Sequence, residues 1–289
     1  MARKLAAISS PVGLVLAFHN VIPDGATARG DRSLHLPFAA FCEILDWLCE
    51  EFAVVPLDQV DLRNAGSEPL PKAAITFDDA YAGALSLALP ELSRRGLSAT
   101  VFVVSGAVAG QTFWWDALAD ALPDGMPRRM REDALLIGRG RQDEVLEWAA
   151  EQGHPVVDLD GAFVAAAWSD IGHAATHPGV SIASHTRTHA NLSVLPEREL
   201  VDELSGSLQE LNERIPQASP WLAYPYGLYN SDVEKAAAEA GYEFAFRVNG
   251  GVVLRGDQIS SNFALPRLSI PAGLSQRGFR IRAAGLLGR

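Results

Sequence analysis

Short apolar segments alternate with amphipathic helical segments along most of the chain, and this alternation limits the folds that are open to it. The predicted strands cover residues 13–18, 53–55, 72–77, 99–104, 180–184, 221–224, 243–246 and 262–265. Strands that are separated by helices run parallel, with the helices packed outside the sheet. We therefore expect an α/β domain, either a barrel or a doubly wound sheet, whose active groups gather at the carboxyl ends of the strands.

Four helices are predicted between these strands, at residues 37–51, 82–95, 196–215 and 231–240. Residues 112–170 differ, because they are polar, rich in alanine and mostly helical, with one further strand candidate at 155–157. We interpret them as a helical insertion on a single domain that spans residues 1–289. The chain carries 35 acidic and 24 basic side chains, a net charge of −11, which argues against a general nucleic-acid binder with a basic surface.

Both ends of the chain carry basic residues that bear on its location. Met1, Arg3 and Lys4 precede an apolar stretch, as in a signal peptide. Pro11 and Gly13 interrupt that stretch before it can span a bilayer, so we expect an uncleaved, cytoplasmic protein. The C-terminal arginines are interpreted as a solvated end, with weak peripheral contact to a membrane as the alternative. They are Arg277, Arg280, Arg282 and Arg289.

The two cysteines, Cys42 and Cys49, lie in one predicted helix. Two helical turns separate such residues by about 10 Å, which is beyond the reach of a disulfide. Both are expected to be reduced thiols in the core, as suits a cytoplasmic protein.

Two adjacent carboxylates, Asp78 and Asp79, end the predicted strand 72–77. Neighbouring residues on a strand point to opposite faces, so one aspartate can bind a metal while the other stays free as a base. Alternatively, either one caps the helix that follows. Three other predicted strands also end at polar or ring-bearing residues, namely His19, His185 and the segment 224–227. This convergence at one edge of the sheet favours a site over a helix cap.

His185 and His189 are spaced so that one helical turn would let them bind the same metal; two surface histidines are the alternative. Thr186 stands where zinc proteases with this spacing need a glutamate. The base must then come from elsewhere, and Asp78 is available. Two imidazoles and one carboxylate leave coordination positions open for water and substrate, which is typical of a catalytic site.

Three motifs together resemble the polysaccharide deacetylases with the NodB homology domain, carbohydrate esterase family 4. They are Thr76-Phe77-Asp78-Asp79, Ser184-His185-Thr186-Arg187-Thr188-His189 and Tyr224-Pro225-Tyr226-Gly227. The segment Leu16-Ala17-Phe18-His19, followed by Val21, is similar to the branch whose catalytic histidine precedes the two aspartates, as in the permuted poly-N-acetylglucosamine deacetylases. The resemblance covers residues 14–270 and is weakest in the insertion.

The resemblance implies a distorted (β/α)7 barrel and a role for each site residue. The metal, zinc or another divalent ion such as cobalt or nickel, would be bound by Asp79, His185 and His189. Asp78 would be the general base and His19 the general acid. The family also uses a backbone N–H near Tyr226 to hold the oxyanion, which makes Tyr224, Pro225 and Tyr226 candidate substrate residues.

One position departs from the family pattern. Common members carry an arginine that steadies the base, and Ala223 occupies its place here. Arg267 is a candidate replacement, with a surface salt bridge as the alternative. Trp114 and Trp115 could present flat faces to a sugar ring, or could instead anchor the insertion. The remaining histidines are interpreted as loop or surface residues; they are His35, His154, His173 and His177.

The implied function is removal of an acetyl group from an N-acetylated sugar by attack of a metal-bound water. The substrate would be a polysaccharide, an oligosaccharide or a glycan precursor. An O-acetyl esterase or a different amidohydrolase could use the same site, because the same water attack serves both. A catalytically silent carbohydrate-binding relative is the third alternative, and the complete set of acid, base and ligands argues against it.

Overall fold

The computed structural model describes residues 11–64, 69–248, 251–254 and 257–286. Ten strands in this part of the chain form one sheet, and β2 pairs with β3 in a second sheet of two strands. In chain order the strands are β1 Pro11–Phe18, β2 Asn20–Ile22, β3 His35–Pro37, β4 Ala53–Val54, β5 Lys72–Phe77, β6 Ala99–Val103, β7 Val180–Ser184, β8 Trp221–Ala223, β9 Phe244–Arg247, β10 Val253–Leu254, β11 Leu265–Pro266 and β12 Leu268–Ser269.

Helices cover the outside of the large sheet. The α-helices within the described ranges are α1 Phe38–Glu51, α2 Leu89–Arg95, α3 Trp114–Asp120, α4 Arg128–Leu136, α5 Gln142–Glu151, α6 Trp168–Ala175, α7 Glu197–Arg214, α8 Ser231–Glu239 and α9 Gln276–Ala283. A π-helical segment, Ala84–Ala88, leads into α2. Short 3-10 turns lie at Leu57–Gln59, Gly161–Phe163, Leu192–Val194 and Pro225–Gly227. The α2 helix ends at Gly96, whose φ of 69° is a left-handed conformation that glycine adopts at little steric cost.

The large sheet curls into a barrel that is nearly closed. Its strand order is β10-β1-β5-β6-β7-β8-β9-β11, with β4 paired to β5 and β12 paired to β1. β10 is antiparallel to β1, and the other pairings among these strands are parallel. β11 pairs with β9 and β12 pairs with β1, so the segment around Arg267 joins the two sides of the sheet. The expected distorted (β/α) barrel is confirmed.

Alternating side chains of the barrel strands point to opposite faces of the sheet. They fill one apolar cluster inside the barrel and two apolar clusters beneath the outer helices. In β1, Leu14 and Leu16 pack beneath the helices, whereas Val15 lies inside the barrel. The inner cluster includes Val15, Ala74, Phe102, Ala183, Ala223, Phe246 and Leu265. Both faces are covered, which explains why these strands are near-continuous apolar runs in the sequence. Thr76 and Asp78 continue the inward alternation of Ala74 along β5 and beyond its end.

The longer elements lie where the sequence predicts them. β5 and β7 match their predicted ranges, and α1, α7 and α8 differ from theirs by at most one residue at either end. The predicted strand at 155–157 is wrong, because the segment is irregular and Val156 is exposed, without the buried face that a strand needs. In the predicted strand 262–265, Leu265 alone lies in a strand.

Three of the four C-terminal arginines lie on α9, which packs against the protein and is not a free tail, although Arg277 and Arg280 are themselves exposed. Phe279 and Ala283, on the inner side of α9, are fully buried. The guanidinium of Arg280 lies over the Trp47 ring, 5.9 Å from its centroid. Arg289 lies outside the described residues. The apolar positions between the arginines therefore dock this segment on α1.

The two cysteines are free thiols. Cys42 is half-buried and Cys49 is exposed, because the buried stripe of α1 runs through other positions. Their expected place in the core is therefore wrong. Across the described ranges, no helix combines the length and the apolar character needed to cross a membrane.

Candidate metal centre and active site

The site lies at the carboxyl ends of β1, β5, β7 and β8, where parallel barrels place their active groups. The register of β1 and β5 sets Phe18 beside Phe77, and the N–H of Asp78 donates to the Phe18 carbonyl at 2.9 Å. His19 and Asp78 therefore lie next to each other, each directly after the end of one of two neighbouring strands. His185 follows β7 in the same way, with its N–H bonded to the last residue of β6 at 2.8 Å.

Asp78 is held by a buried, two-pronged salt bridge with Arg267. The Nη1 and Nη2 atoms of Arg267 donate to Oδ1 and Oδ2 of Asp78 at 2.7 and 2.8 Å, and Nη1 also donates to Thr76 Oγ1 at 3.0 Å. Burial opposes the ionisation of Asp78, but Arg267, with smaller contributions from His185 and His19, keeps its pKa below the usual value.

Arg267 itself is fully buried, so it does not form the surface salt bridge that was its alternative interpretation. The segment that closes the barrel thus also supplies the counter-ion of Asp78. The Arg267 side chain reaches Asp78, whereas Ala223 has no charged group to offer this carboxylate.

Asp79, His185 and His189 turn three potential ligand atoms toward one another. Asp79 Oδ1 lies 3.2 Å from His189 Nε2 and 3.5 Å from His185 Nε2, and the two Nε2 atoms are 3.1 Å apart. Ligands of a tetrahedral zinc, each about 2.0–2.1 Å from the metal, stand about 3.3 Å apart. All three side chains are buried, and no described residue satisfies Asp79 Oδ1 with a hydrogen bond. The donor set and its spacing fit a divalent transition metal.

The outer contact of His185 decides which of its nitrogens can bind a metal. Its Nδ1 lies 2.8 Å from the carbonyl oxygen of Ala223, which can only accept, so Nδ1 carries the proton and Nε2 presents a lone pair. Burial lowers the pKa of His185 to about 4, which keeps the imidazole neutral at pH 7, the form that binds metals. Burial also opposes the ionisation of Asp79, but His189 and His185 hold its pKa below the usual value.

Left-handed backbone conformations cluster at this site. Among the described non-glycine residues, those with positive φ include Asp79, Ala80, Thr186, His189 and Tyr226, with φ between 56° and 68°. Such conformations cost on the order of 1 kcal/mol or more and persist where surrounding contacts hold them. The strain is therefore concentrated in the segments that carry the ligand set.

His19 is half-buried at the end of β1. It is close enough to Asp78 and Asp79 to contribute to their lowered pKa values, behind burial and the larger effects of Arg267 and His189. The structure thus brings the first strand, the aspartate pair and the histidine pair to one place.

Of the two tyrosines in the segment after β8, Tyr226 lies at the site and Tyr224 lies away from it. The Tyr226 ring packs on His189, with centroids 4.5 Å apart, and its hydroxyl donates to the Gly140 carbonyl at 2.8 Å. Tyr224 lies in a separate apolar cluster beneath α7 and α8, where its hydroxyl donates to the Phe263 carbonyl at 2.9 Å. The Tyr224 side chain therefore does not line the site, and the buried Pro225 links the two tyrosines.

Trp114 and Trp115 begin α3 and are 0% and 3% exposed. Trp114 Nε1 donates to the Gly140 carbonyl at 3.0 Å. Trp115 Nε1 donates to the Tyr81 hydroxyl at 2.7 Å, and its ring centroid lies 4.6 Å from that of His189. Both indoles are almost fully buried, although they form part of the wall of a groove beside His189. Their hydrogen bonds and ring contacts favour anchoring of the insertion over stacking on a sugar ring.

A buried polar network beneath the site was not expected from the sequence. His35, interpreted as a loop or surface residue, is 1% exposed, and its Nε2 lies 3.0 Å from Asp116 Oδ1. Asp116 also accepts from the Tyr81 hydroxyl at 2.6 Å, and Asn20 Nδ2 lies 3.0 Å from His35 Nδ1. This network ties β2, β3 and the insertion to the segment that follows Asp79. The available signal was Asp116, an acid within an otherwise apolar helix turn.

A groove of about 690 Å³ opens beside His189, between the insertion and α7. Its charged lining includes Arg139, Arg141, Arg187, Glu199, Asp202 and Glu203. Glu199 joins the two walls, with ion pairs to Arg139 at 2.9 Å and to Arg141 at 2.7 Å. Glu203 was also missed at the sequence level, although it shares a helix face with Leu200 and Leu204, where a charged residue is unusual.

Comparison with known proteins places this geometry in a family. The family model described as polysaccharide deacetylase matches residues 65–245. The Bacillus subtilis (strain 168) protein YxkH is 22% identical over 268 residues, which cover 92% of this chain and 74% of YxkH.

Two solved structures share the fold. Streptococcus pyogenes deacetylase PplD in complex with acetate superposes with a TM-score of 0.63 at 17% identity, covering 95% of this chain and 99% of PplD. IcaB from Ammonifex degensii superposes with a TM-score of 0.64 at 16% identity, covering 96% of this chain and 97% of IcaB. At these identities the likeness establishes the fold.

Proposed function

This chain belongs to the polysaccharide deacetylase family, and we propose that it removes the acetyl group from an N-acetylated carbohydrate in a metal-dependent hydrolysis. The observation that carries this proposal is the division of labour between adjacent aspartates. Asp79 faces the Nε2 atoms of two imidazoles, whereas Asp78 is paired with Arg267 inside the barrel. One carboxylate is thus available as a ligand and the other as a base.

The proposed metal ligands are Asp79 Oδ1, His185 Nε2 and His189 Nε2, and their mutual distances of 3.1 to 3.5 Å support this assignment. Zinc, cobalt or nickel suits a set of two imidazoles and a carboxylate. A divalent ion held by these three residues would supply a Lewis acid for the acetyl carbonyl and would make a water molecule more acidic.

Asp78 acts as the general base in this proposal. Its carboxylate is ionised at neutral pH because Arg267 outweighs the effect of burial on its pKa. The two parallel hydrogen bonds from Arg267 fix both carboxylate oxygens in one orientation. Asp78 therefore accepts the proton of the attacking water without a rearrangement of its side chain.

His19 acts as the general acid. An amine is a poor leaving group unless it is protonated, and His19 leaves β1 directly beside Asp78. The backbone N–H of Tyr226, in the left-handed turn after β8, holds the developing oxyanion. The groove beside His189, which has both charged and apolar lining residues, takes the rest of the carbohydrate.

The proposal is tested by acetate release from a panel of N-acetylated and O-acetylated oligosaccharides, with and without a chelator. We expect the purified protein to release acetate from the N-acetylated sugars, to lose activity with the chelator and to regain it with added zinc. Asp78→Asn should keep its metal but lose about 10²–10⁴-fold in kcat, the usual contribution of a general base. Asp58→Asn, at an exposed aspartate on the Leu57–Gln59 turn, should match the wild-type protein.

Three results would contradict the proposal in different ways. A metal-loaded Asp78→Asn protein with full activity would remove Asp78 as the base. Acetate release confined to the O-acetylated sugars would identify an esterase. Carbohydrate binding without acetate release from any member of the panel would identify a silent binding protein.

A further inference from the structure

The two candidate histidine ligands are supported in different ways. His185 follows β7 directly, and its Nδ1 is bonded to the Ala223 carbonyl at 2.8 Å. His189 Nδ1 has no hydrogen-bond partner among the described residues, although it is buried. The rings of Trp115 and Tyr226 flank His189 and limit its rotation, with centroid distances of 4.6 and 4.5 Å. These ring contacts hold the imidazole but do not fix the backbone of His189, so other contacts must position that backbone.

That backbone belongs to a strained loop. Thr186 and His189 both adopt left-handed conformations, with φ of 65° and 58°. Within the loop, the His189 N–H donates to Thr186 Oγ1 at 3.1 Å, and the Thr186 N–H donates to Ser184 Oγ at 3.1 Å. The N–H groups of the two intervening residues point instead to the helix behind the loop, where they meet one carboxylate.

That carboxylate is Glu203 on α7, which is 2% exposed. Its Oε2 accepts from the N–H of Arg187 at 3.1 Å and from the N–H of Thr188 at 2.9 Å. Its Oε1 accepts from the Thr188 hydroxyl at 2.5 Å and from Arg141 Nη2 at 3.4 Å. One buried side chain therefore ties the middle of the loop to a long helix and to the insertion.

We propose that Glu203 is a positioning residue for the metal site, which holds the Thr186–His189 turn so that the His189 imidazole meets Asp79 and His185. Within the described part of the chain, the His189 ring has no acceptor at Nδ1, and Glu203 instead holds the backbone of the two residues that precede it, Arg187 and Thr188. Groups that orient metal ligands in this way typically change metal affinity by 10- to 100-fold. The inference rests on the proposed metal-dependent function.

Glu199 provides a matched control on the same helix. It lies one turn before Glu203 and forms ion pairs with Arg139 and Arg141. The hydrogen bonds of its carboxylate go to these arginines, on the insertion side of the groove, and not to the loop backbone. A change in metal affinity that arises from general loss of charge on α7 would appear in both Glu203→Gln and Glu199→Gln.

The experiment measures zinc affinity directly, by competition of the metal-free protein with a chromophoric chelator. We expect Glu203→Gln to bind zinc 10- to 100-fold more weakly than the wild-type protein, and Glu199→Gln to bind it within about twofold. The melting temperature of each metal-free protein is measured in parallel, together with the visible absorption of the cobalt form. Saturating zinc should restore most of the kcat of Glu203→Gln with little change in KM.

The outcomes separate this inference from the proposed function. Wild-type protein that binds no zinc would overturn both. Equal zinc affinity of wild type and Glu203→Gln would overturn the role of Glu203 alone, including when the metal-free variant melts at a lower temperature. If Glu203→Gln does not fold, Thr188→Val decides, because it removes one bond to the carboxylate; unchanged zinc affinity in that variant would overturn the inference.

Discussion

At the scale of single residues, the site depends on the different backbone conformations of two adjacent aspartates, Asp78 and Asp79. Asp78 follows the inward alternation of β5 and meets Arg267 inside the barrel. Asp79 would point to the opposite face of a continued strand, but its φ of 68° turns it toward His185 and His189. The Arg267 pair and the left-handed turn thus give two identical side chains different partners.

Arg267→Met tests the Arg267 pair. The change leaves the Asp78 carboxylate buried without its partner, and loss of one member of a buried ion pair costs about 3–5 kcal/mol. We expect the free energy of unfolding, measured by denaturant titration at pH 7, to fall by about that amount. Arg128→Met, at an arginine whose side chain is 92% exposed, should change it by less than about 0.5 kcal/mol.

Equal stability of Arg267→Met and the wild-type protein would show that the pair does not hold the barrel closed. Arg267→Lys is a useful intermediate. It keeps a positive charge but loses the planar guanidinium that bonds both Asp78 oxygens. Its free energy of unfolding should therefore lie between those of Arg267→Met and the wild-type protein.

At the scale of elements, the sequence predicts what is long and periodic. β5 and β7 are short runs in which apolar residues predominate, and α7 carries a regular apolar stripe, so their ranges follow from pattern alone. β10, β11 and β12 have two residues each, which is too short for any periodicity to be visible. They exist because distant strands offer them hydrogen bonds, and that information is not local.

The same limit applies to the site. The aspartate pair and the histidine pair are visible as motifs because their members are close in the sequence. Glu203 and Asp116 are not visible in this way, since their partners lie 15 or more residues away along the chain. Both do carry a weak signal, which is a charged residue at a helix position that the apolar pattern assigns to the core.

The helix α9 is rich in arginine, yet the burial of its apolar residues docks it on the protein. Phe279 is fully buried and packs edge-on against Trp47 of α1, with ring centroids 4.9 Å apart. Phe279→Ala should lower the free energy of unfolding by about 3–5 kcal/mol, because it removes a buried ring and leaves a cavity. Leu286→Ala, at an exposed position after the same helix, should have little effect. A Phe279→Ala protein as stable as the wild type would restore the interpretation of this segment as a solvated end.

At the scale of the whole molecule, the contacts that close the barrel are also the contacts that bring the site residues together. His19, the aspartate pair and the histidine pair come from different parallel strands, and the segment between β11 and β12 joins β9 to β1 while it places Arg267 against Asp78. The candidate ligand set is therefore assembled in the folded barrel and not in the unfolded chain. A ligand that binds only the folded state stabilises it by mass action.

Divalent metal should for this reason raise the melting temperature of the whole domain. At a free zinc concentration about 100 times the dissociation constant, the folded state gains about 2.7 kcal/mol, and each kcal/mol raises the melting temperature by roughly 2–4 °C in domains of 150–250 residues. Calorimetry with added zinc and with a chelator measures the shift, which should be several degrees. His189→Ala should abolish most of it, because one ligand is lost, whereas His173→Ala, at an exposed histidine of α6, should retain it. A shift that survives His189→Ala but not His173→Ala would move the metal from the barrel to the surface pair of His173 and His177, whose Nε2 atoms are 3.4 Å apart.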